Sequence, residues 1–329
     1  MSSESPQHTL AVHFPWQVPQ WLHLCELRSG DRLPHALLLG GPNGVGKRRF
    51  AKAIAHSLLC EESIPGNPCG ECRHCHFNLA GMHSDLKVIE PEEAGKQIKV
   101  DQVRGILDFI AQTSQQGGCK VVIIEPAEAM NINAANALLK SLEEPTDNTV
   151  IILVSDAVGT LLPTIRSRCQ LVSFPVPPPV ESLAWLSSML TAKDQAEELL
   201  RDAGNRPLAA LALVESGAVQ QRQVMQAQFI DMVQGKISPL QLAELWKNID
   251  LSEVLAWLQL KVSDLIRFKQ GGVTVESQWQ ALVIKDQKRL FLLLDVISSL
   301  QLKVSRGANP NKQLALEDIL LRTCEVFRR

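Results

Sequence analysis

The chain has 329 residues, 45% of them hydrophobic, and a formal net charge of −2. That length has room for two or three globular domains. The near-neutral charge excludes a global positive field for nucleic acid, so any DNA contact must come from a local patch. The sequence lacks an unbroken apolar run of membrane-spanning length, and Met1 to Thr9 is polar without a secretory core; a cytoplasmic protein with no membrane contact is expected. In that compartment the eight cysteines are thiols rather than a disulfide framework.

His35-Ala36-Leu37-Leu38-Leu39 is a buried strand in pattern. It runs into Gly41-Pro42-Asn43-Gly44-Val45-Gly46-Lys47-Arg48, a phosphate-binding loop complete except for its last residue. That position calls for Ser or Thr, whose hydroxyl holds the magnesium bridging the outer phosphates. Arg48 is a donor-only cation and cannot ligate a metal. The contacts left for a nucleotide are the loop itself, with Gly41, Gly44 and Gly46, and the Lys47 ammonium. No ATP hydrolysis is the resulting expectation, with ATP binding left open. Phe50, Ile54 and Leu58 recur at one-turn spacing, so a helix follows the loop.

Cys69-Gly70-Glu71-Cys72-Arg73-His74-Cys75 contains two overlapping C-x-x-C units, with Cys60 upstream at the end of that helix. Four thiolates close a tetrahedral zinc shell with no open position, the structural arrangement. Cys60, Cys69, Cys72 and Cys75 are the candidate Zn2+ ligands, and Pro65, Gly66, Pro68 and Gly70 supply turns for a knuckle over about 60–75. His74, His76 and His83 lie close enough to replace one sulfur, and redox-active or simply buried thiols are the alternative.

Residues 98–110 (IKVDQVRGILDFI) carry a helical period, with Val103, Ile106, Leu107 and Ile110 on one face. Gln115-Gln116-Gly117-Gly118 makes a turn. Lys120 to Glu125 is an apolar strand ending in an acid, as the magnesium-handling motif of such enzymes does. The residue after it is Pro126, where a water-polarising acid would be needed. Glu125 is therefore either a metal-facing carboxylate or a solvated acid capping a buried strand, and Glu128 is expected to point elsewhere. Asn133 to Glu144 reads as a helix stopped before Pro145, and Thr149 to Ser155 as another buried strand. Strands alternating with helices imply a parallel sheet covered on both faces. Leu162 to Cys169 then brings Arg166 and Arg168 within three residues.

NALLKSLEEP followed by TIRSRC, with a phosphate loop and a four-cysteine knuckle after its helix, resembles the clamp-loader AAA+ proteins of bacterial DNA polymerase III. The likeness runs from Trp16 to the end of the chain, where Asn309-Pro310-Asn311 and residues 314–322 (LALEDILLR) look like that family's last helix. It implies an α/β plus all-α protein in three parts. These are an AAA+ P-loop domain over 1–176 carrying the zinc module, a small helical lid over 177–217, and a helical collar over 218–329 that oligomerises. Phe174 to Pro179 is the stiff linker at the first boundary. Arg206 falls where relatives carry a nucleotide-sensing arginine, or else is a solvated residue at a helix start. Leu255, Leu258, Val262 and Leu265, then Leu290, Leu293, Leu294, Ile297 and Leu300, recur at helical spacing. They are either an oligomer face or a bundle core.

Relatives that hydrolyse ATP have Thr or Ser after the loop lysine and Asp-Glu at the acidic motif; this chain departs at both places. The resemblance thus implies a member without intrinsic ATPase activity, part of a DNA-directed DNA polymerase (nucleotidyltransferase) holoenzyme in DNA replication. Its partners would be gamma/tau ATPase subunits and a delta subunit in a five-membered ring, and through it the sliding clamp and primer–template DNA. Arg168 would be an arginine finger acting in trans on a neighbour's ATP. A catalytically active gamma/tau-type ATPase is the alternative, opposed by Arg48 and Pro126. A zinc-knuckle DNA-binding module is a third, opposed by the lack of a basic run around Cys60 to Cys75.

Overall fold

The computed structural model describes residues 10–62, 67–93, 95–114, 118–191, 195–271, 279, 282, 284, 287–305 and 308–327. Pro65 and Gly66 of the expected knuckle, and Gln115 to Gly117 of the expected turn, lie outside them. The chain divides into two compact units, one ending at Ala212 and one beginning at Leu213.

The first unit is built on five parallel strands: β1 (Ala36–Gly40), β2 (Leu86–Ile89), β3 (Lys120–Ile124), β4 (Thr149–Ser155) and β5 (Gln170–Ser173). Their order is β2-β3-β4-β1-β5, with Leu38 paired to Leu153 and Leu171 on either side. Strands β1, β3 and β4 are buried throughout, as their unbroken apolar runs require. Alternate side chains enter opposite layers. Leu37, Leu39, Val121, Ile123 and Ile152 pack with Trp21 and Leu24 of α1 (Val18–Ser29) and with Phe50 and Ile54 of α2 (Lys47–Leu59). Leu38, Val122, Ile124, Ile151 and Leu153 pack on the other face. Their partners there are Val103, Ile106 and Ile110 of α4 (Val100–Ala111) and Ala134, Leu138 and Leu142 of α5 (Ile132–Glu143).

Three elements differ from the sequence reading. The helix expected from residue 98 starts at Val100, because Ile98 bridges to Met130 and its N–H bonds the carbonyl of Ala129. Strand β2 and helix α1 went unread: β2 is four residues long, half of them exposed, so no apolar run marks it.

Leu138, on the face of α5 that packs on the sheet, is fully buried. Leu138→Ala is expected to cost about 2–5 kcal/mol through lost burial and a residual cavity. A denaturant titration should move the first unit's transition to lower concentration, and an unmoved transition would contradict this packing.

The first unit continues into α7 (Pro179–Met189), α8 (Ala196–Asp202) and the start of α9 (Pro207–Glu215). The second unit is helical. It includes α10 (Ala218–Val233), α11 (Pro239–Leu245), α12 (Leu251–Lys269) and the helices Gln287–Ser305 and Lys312–Phe327. Leu255, Leu258, Val262, Leu265, Leu290, Leu293 and Ile297 are buried in one core with Phe229, Trp246 and Trp257, and Leu294 and Leu300 pack against it. Their period is thus a core period. Phe291, Leu292, Leu314 and Leu321 of the last two helices stay exposed. No helix among the described residues is long and apolar enough to cross a membrane.

Candidate functional site

The carboxyl ends of β1, β3 and β4 converge on one cleft, the position at which open parallel sheets bind ligands. The phosphate loop leaves β1 and opens α2, whose cap is Gly46. Gly44 has a left-handed backbone at φ +85°, and a side chain there would meet the Cβ of Ala209 in α9 at 2.7 Å. A Cβ at Gly41 would fall 2.0 Å from the carbonyl oxygen of Phe174. The glycines are therefore needed for close approach as well as for the turn. The Val45 carbonyl accepts from the Trp16 indole and the Gln17 amide, both at 2.9 Å, so the segment before α1 is fastened to the loop.

Lys47 is buried and its ammonium donates to the carbonyls of Gly41 at 2.7 Å and Pro42 at 2.8 Å and to Asp156 Oδ1 at 2.6 Å. Asp156 follows β4, and its backbone N–H donates to Glu128 Oε1 at 2.9 Å. Glu128 therefore turns back toward the β4 end, contrary to the sequence expectation. Arg48 pairs with Glu90, beyond β2, and its Nε lies 3.3 Å from Glu125 Oε2. Burial pushes the Glu125 carboxyl up to about 7, against the downward pull of the Arg48 charge. Glu125 is thus the half-buried partner of a resident guanidinium rather than a freely solvated strand cap. The cleft measures about 290 Å³ and is lined by Asn43, Lys47, Glu125, Asp156, Leu208 and Ala209 among others. Arg206 donates from Nε to the Ala203 carbonyl at 2.7 Å and from Nη1 to the Asn43 carbonyl at 3.4 Å, so it touches the loop backbone.

Arg168 lies just after α6 (Pro163–Arg166) and before β5. Its Nη2 is 2.6 Å from Glu143 Oε1 at the end of α5, and its Nη1 donates to the Thr164 carbonyl at 3.0 Å. Arg166 is exposed. The two arginines diverge, and Arg168 is the one tied to the NALLKSLEE helix.

The second cluster is sulfur. The Sγ atoms of Cys60, Cys69, Cys72 and Cys75 all lie within 4.8 Å of one another. Cys60 and Cys72 are 3.8 Å apart, and Cys69 and Cys75 are 3.9 Å apart. Sulfurs about 2.3 Å from a zinc ion stand about 3.8 Å apart along a tetrahedron's edge, so the four fit that ion. Backbone N–H groups of Cys69, Gly70, Cys72 and Cys75 point at the sulfurs at 3.3–3.4 Å, the donors a thiolate cluster needs. The amides of Glu71 and Cys72 pull the Cys69 thiol down to about 7, while burial raises Cys60 and Cys75. Cys72 also caps α3 (Arg73–Leu79) by accepting from the Cys75 N–H. His74 is committed elsewhere: its Nδ1 meets His83 Nε2 at 2.8 Å and its Nε2 meets Glu61 at 3.0 Å. The Asp85 N–H bonds His83 Nδ1, so that nitrogen accepts and Nε2 carries the proton toward His74.

The family profile described as "DNA polymerase III, delta subunit" matches residues 17–178, and "DNA polymerase III, delta subunit, C terminal" matches 216–324. DNA polymerase III subunit delta' of Pseudomonas aeruginosa is 39% identical over 95% of this chain and 97% of its own length. The chain belongs to the DNA polymerase III subunit delta' family. The Escherichia coli subunit delta' is 31% identical over 94% of each chain. The Escherichia coli subunit tau is 28% identical over 91% of this chain but 44% of its own length. Among solved structures, a DNA polymerase III gamma subunit-related protein from Thermotoga maritima aligns at 21% identity with a TM-score of 0.47. It covers 92% of this chain and 99% of that one.

Within this delta' family member, sequence reasoning missed Glu90 and Asp156. The signal for Asp156 was present: a polar pair, Ser155-Asp156, closes an otherwise apolar strand at the ligand-binding edge of the sheet.

Proposed function

We propose that this chain is a clamp-loader subunit of the DNA polymerase III holoenzyme that assists ATP chemistry in a neighbouring subunit and does not hydrolyse nucleotide itself. The observation that carries the reading is Arg48. A guanidinium stands where the metal-binding hydroxyl is needed, and it is paired with Glu90 and with Glu125, the acid at the β3 end. Pro126 leaves no adjacent acid to polarise water. The hydroxyl that would seat magnesium and the acid that would polarise water are thus both replaced, one by Arg48 and the other by Pro126.

Arg168 is the group proposed to act in trans. Its guanidinium is about one-third exposed, and its contacts are the Glu143 carboxylate and the local Thr164 carbonyl and Ser167 hydroxyl, which it can exchange for a partner's outer phosphate. Residues 177–217 would act as the lid and 218–329 as the collar in a five-membered ring with gamma/tau and delta subunits. The exposed Phe291, Leu292, Leu314 and Leu321 are apolar surface suited to such contacts. Sliding clamp and primer–template DNA would be engaged through the assembled ring, in the cytoplasm. A structural zinc on the four cysteines would pin the excursion between α2 and β2.

The isolated chain is expected to have no steady-state ATPase activity, and Arg48→Thr alone should not create it, since the base is still missing. Phosphate release by the pure chain that disappears in Lys47→Ala would overturn this reading and favour the gamma/tau-type ATPase.

A further inference from the structure

The loop's charges already have internal partners. An ammonium has three protons, and Lys47 has three acceptors: two loop carbonyls and the Asp156 carboxylate. The carboxylate is the shortest of these contacts, at 2.6 Å, and the lysine side chain is only 3% exposed. Asp156 does not drift into this position. It is carried on the end of β4 and its own N–H is tied to Glu128. On the other side of the loop, Arg48 stands between Glu90 and Glu125. The cleft thus holds an anion on its phosphate-binding cation and a cation between the Glu90 and Glu125 carboxylates.

The covering elements match this filled state. The Leu208 N–H donates to the Gly44 carbonyl at 3.1 Å, and Ala209 packs directly on Gly44. The remaining cleft, about 290 Å³, is at the small end of the about 300–1,000 Å³ usual for ligand pockets.

We propose that the Asp156 carboxylate is an internal competitor at the phosphate loop: it holds Lys47 as a terminal phosphate oxygen would, so that polyphosphates bind only by displacing it. The physical basis is simple exchange. A carboxylate and a phosphate oxygen are alternative acceptors for one charge-assisted donor. The carboxylate is tethered, and tethering gives even flexibly linked groups effective concentrations in the millimolar range. A free polyphosphate must therefore outcompete a local anion before it gains the loop amides. The inference rests on the non-hydrolysing reading only for its location, because it concerns binding, which is measured apart from turnover.

The test is calorimetric titration of the full-length chain with inorganic pyrophosphate, without magnesium, comparing the unmodified protein with Asp156→Asn and Asp156→Ala. Asp156→Ala should bind pyrophosphate at least about ten-fold more tightly than the unmodified chain, because the Lys47 ammonium no longer has to give up a buried charge-assisted contact first. Asp156→Asn should fall between them, since its carbonyl keeps the contact but not the charge. Adding Lys47→Ala to Asp156→Ala should abolish the gain. Equal pyrophosphate affinity in all three proteins would overturn the proposal, as would a gain that survives Lys47→Ala. Should Asp156→Ala melt below the unmodified chain, the Asp156→Asn comparison decides the question by itself. ATP hydrolysis by the unmodified chain would sink the non-hydrolysing reading without touching this one. Equal affinities would sink this one and leave the other standing.

Discussion

Arg168→Ala is expected to lower ATP hydrolysis and clamp loading by a reconstituted complex strongly, while the subunit itself still folds and assembles. Arginine fingers that stabilise the charge of a transferring phosphoryl group are worth on the order of a thousand-fold or more in GTPases. That sets the upper scale; a finger used more for sensing than for turnover would give less. The local cost of freeing the side chain is small. The Glu143 pair is partly exposed on both sides, and pairs of that kind contribute about 0–1 kcal/mol. A charge-assisted, bidentate contact to phosphate exceeds that comfortably. Arg168→Lys should rescue poorly, because an ammonium cannot reproduce the planar fork. Arg166→Ala is the control: that side chain is exposed and two residues away, and loading should be nearly unchanged. Complexes carrying Arg168→Ala that load clamps and hydrolyse ATP at the unmodified rate would rule out the trans role.

The second large effect is expected at the sulfur cluster. Elemental analysis of purified protein should find about one zinc per chain, the content of a closed four-ligand site. Cys72→Ser should lose the metal and expose the excursion between α2 and β2 to proteolysis. In isolated zinc fingers the ion contributes about 10–16 kcal/mol of apparent binding free energy, which is folding free energy there. Here the sheet has its own core, so the loss should be concentrated in residues 60–79, with a smaller fall in the melting temperature of the first unit. Cys60 and Cys75 are buried, and Cys72 caps α3 by accepting from the Cys75 N–H; without a cation these sulfurs would stand clustered with no counter-charge. Metal-free protein whose four thiols titrate freely, with unchanged protease resistance, would refute zinc binding.

The extent to which this molecule could be read in advance follows the range of the forces involved. The buried strands at 36–40, 120–124 and 149–155 were legible because a parallel strand covered on both faces must be apolar at every position. The clustering of the four cysteines was legible because two overlapping C-x-x-C units bring thiols together over one short stretch of chain. The departures at Arg48 and Pro126 were legible because the chemistry at those positions tolerates few side chains. Strand β2 was not, since Lys87 and Val88 are exposed and it earns its place only by pairing with β3.

Leu255 and Leu290 illustrate the boundary. Their helical spacing was determined locally, but whether that face met a core or a partner depended on helices elsewhere in the chain. The fold made it a core. The candidate site divides in the same way. Residue types and spacing within the loop come from the sequence by itself, because backbone geometry over eight residues is a local matter. The partners of its charges were decided by tertiary structure alone: Asp156 is 109 positions from Lys47 and Glu90 is 42 from Arg48. Coulomb attraction and desolvation depend on distance in space, and only the closing of the sheet sets those distances.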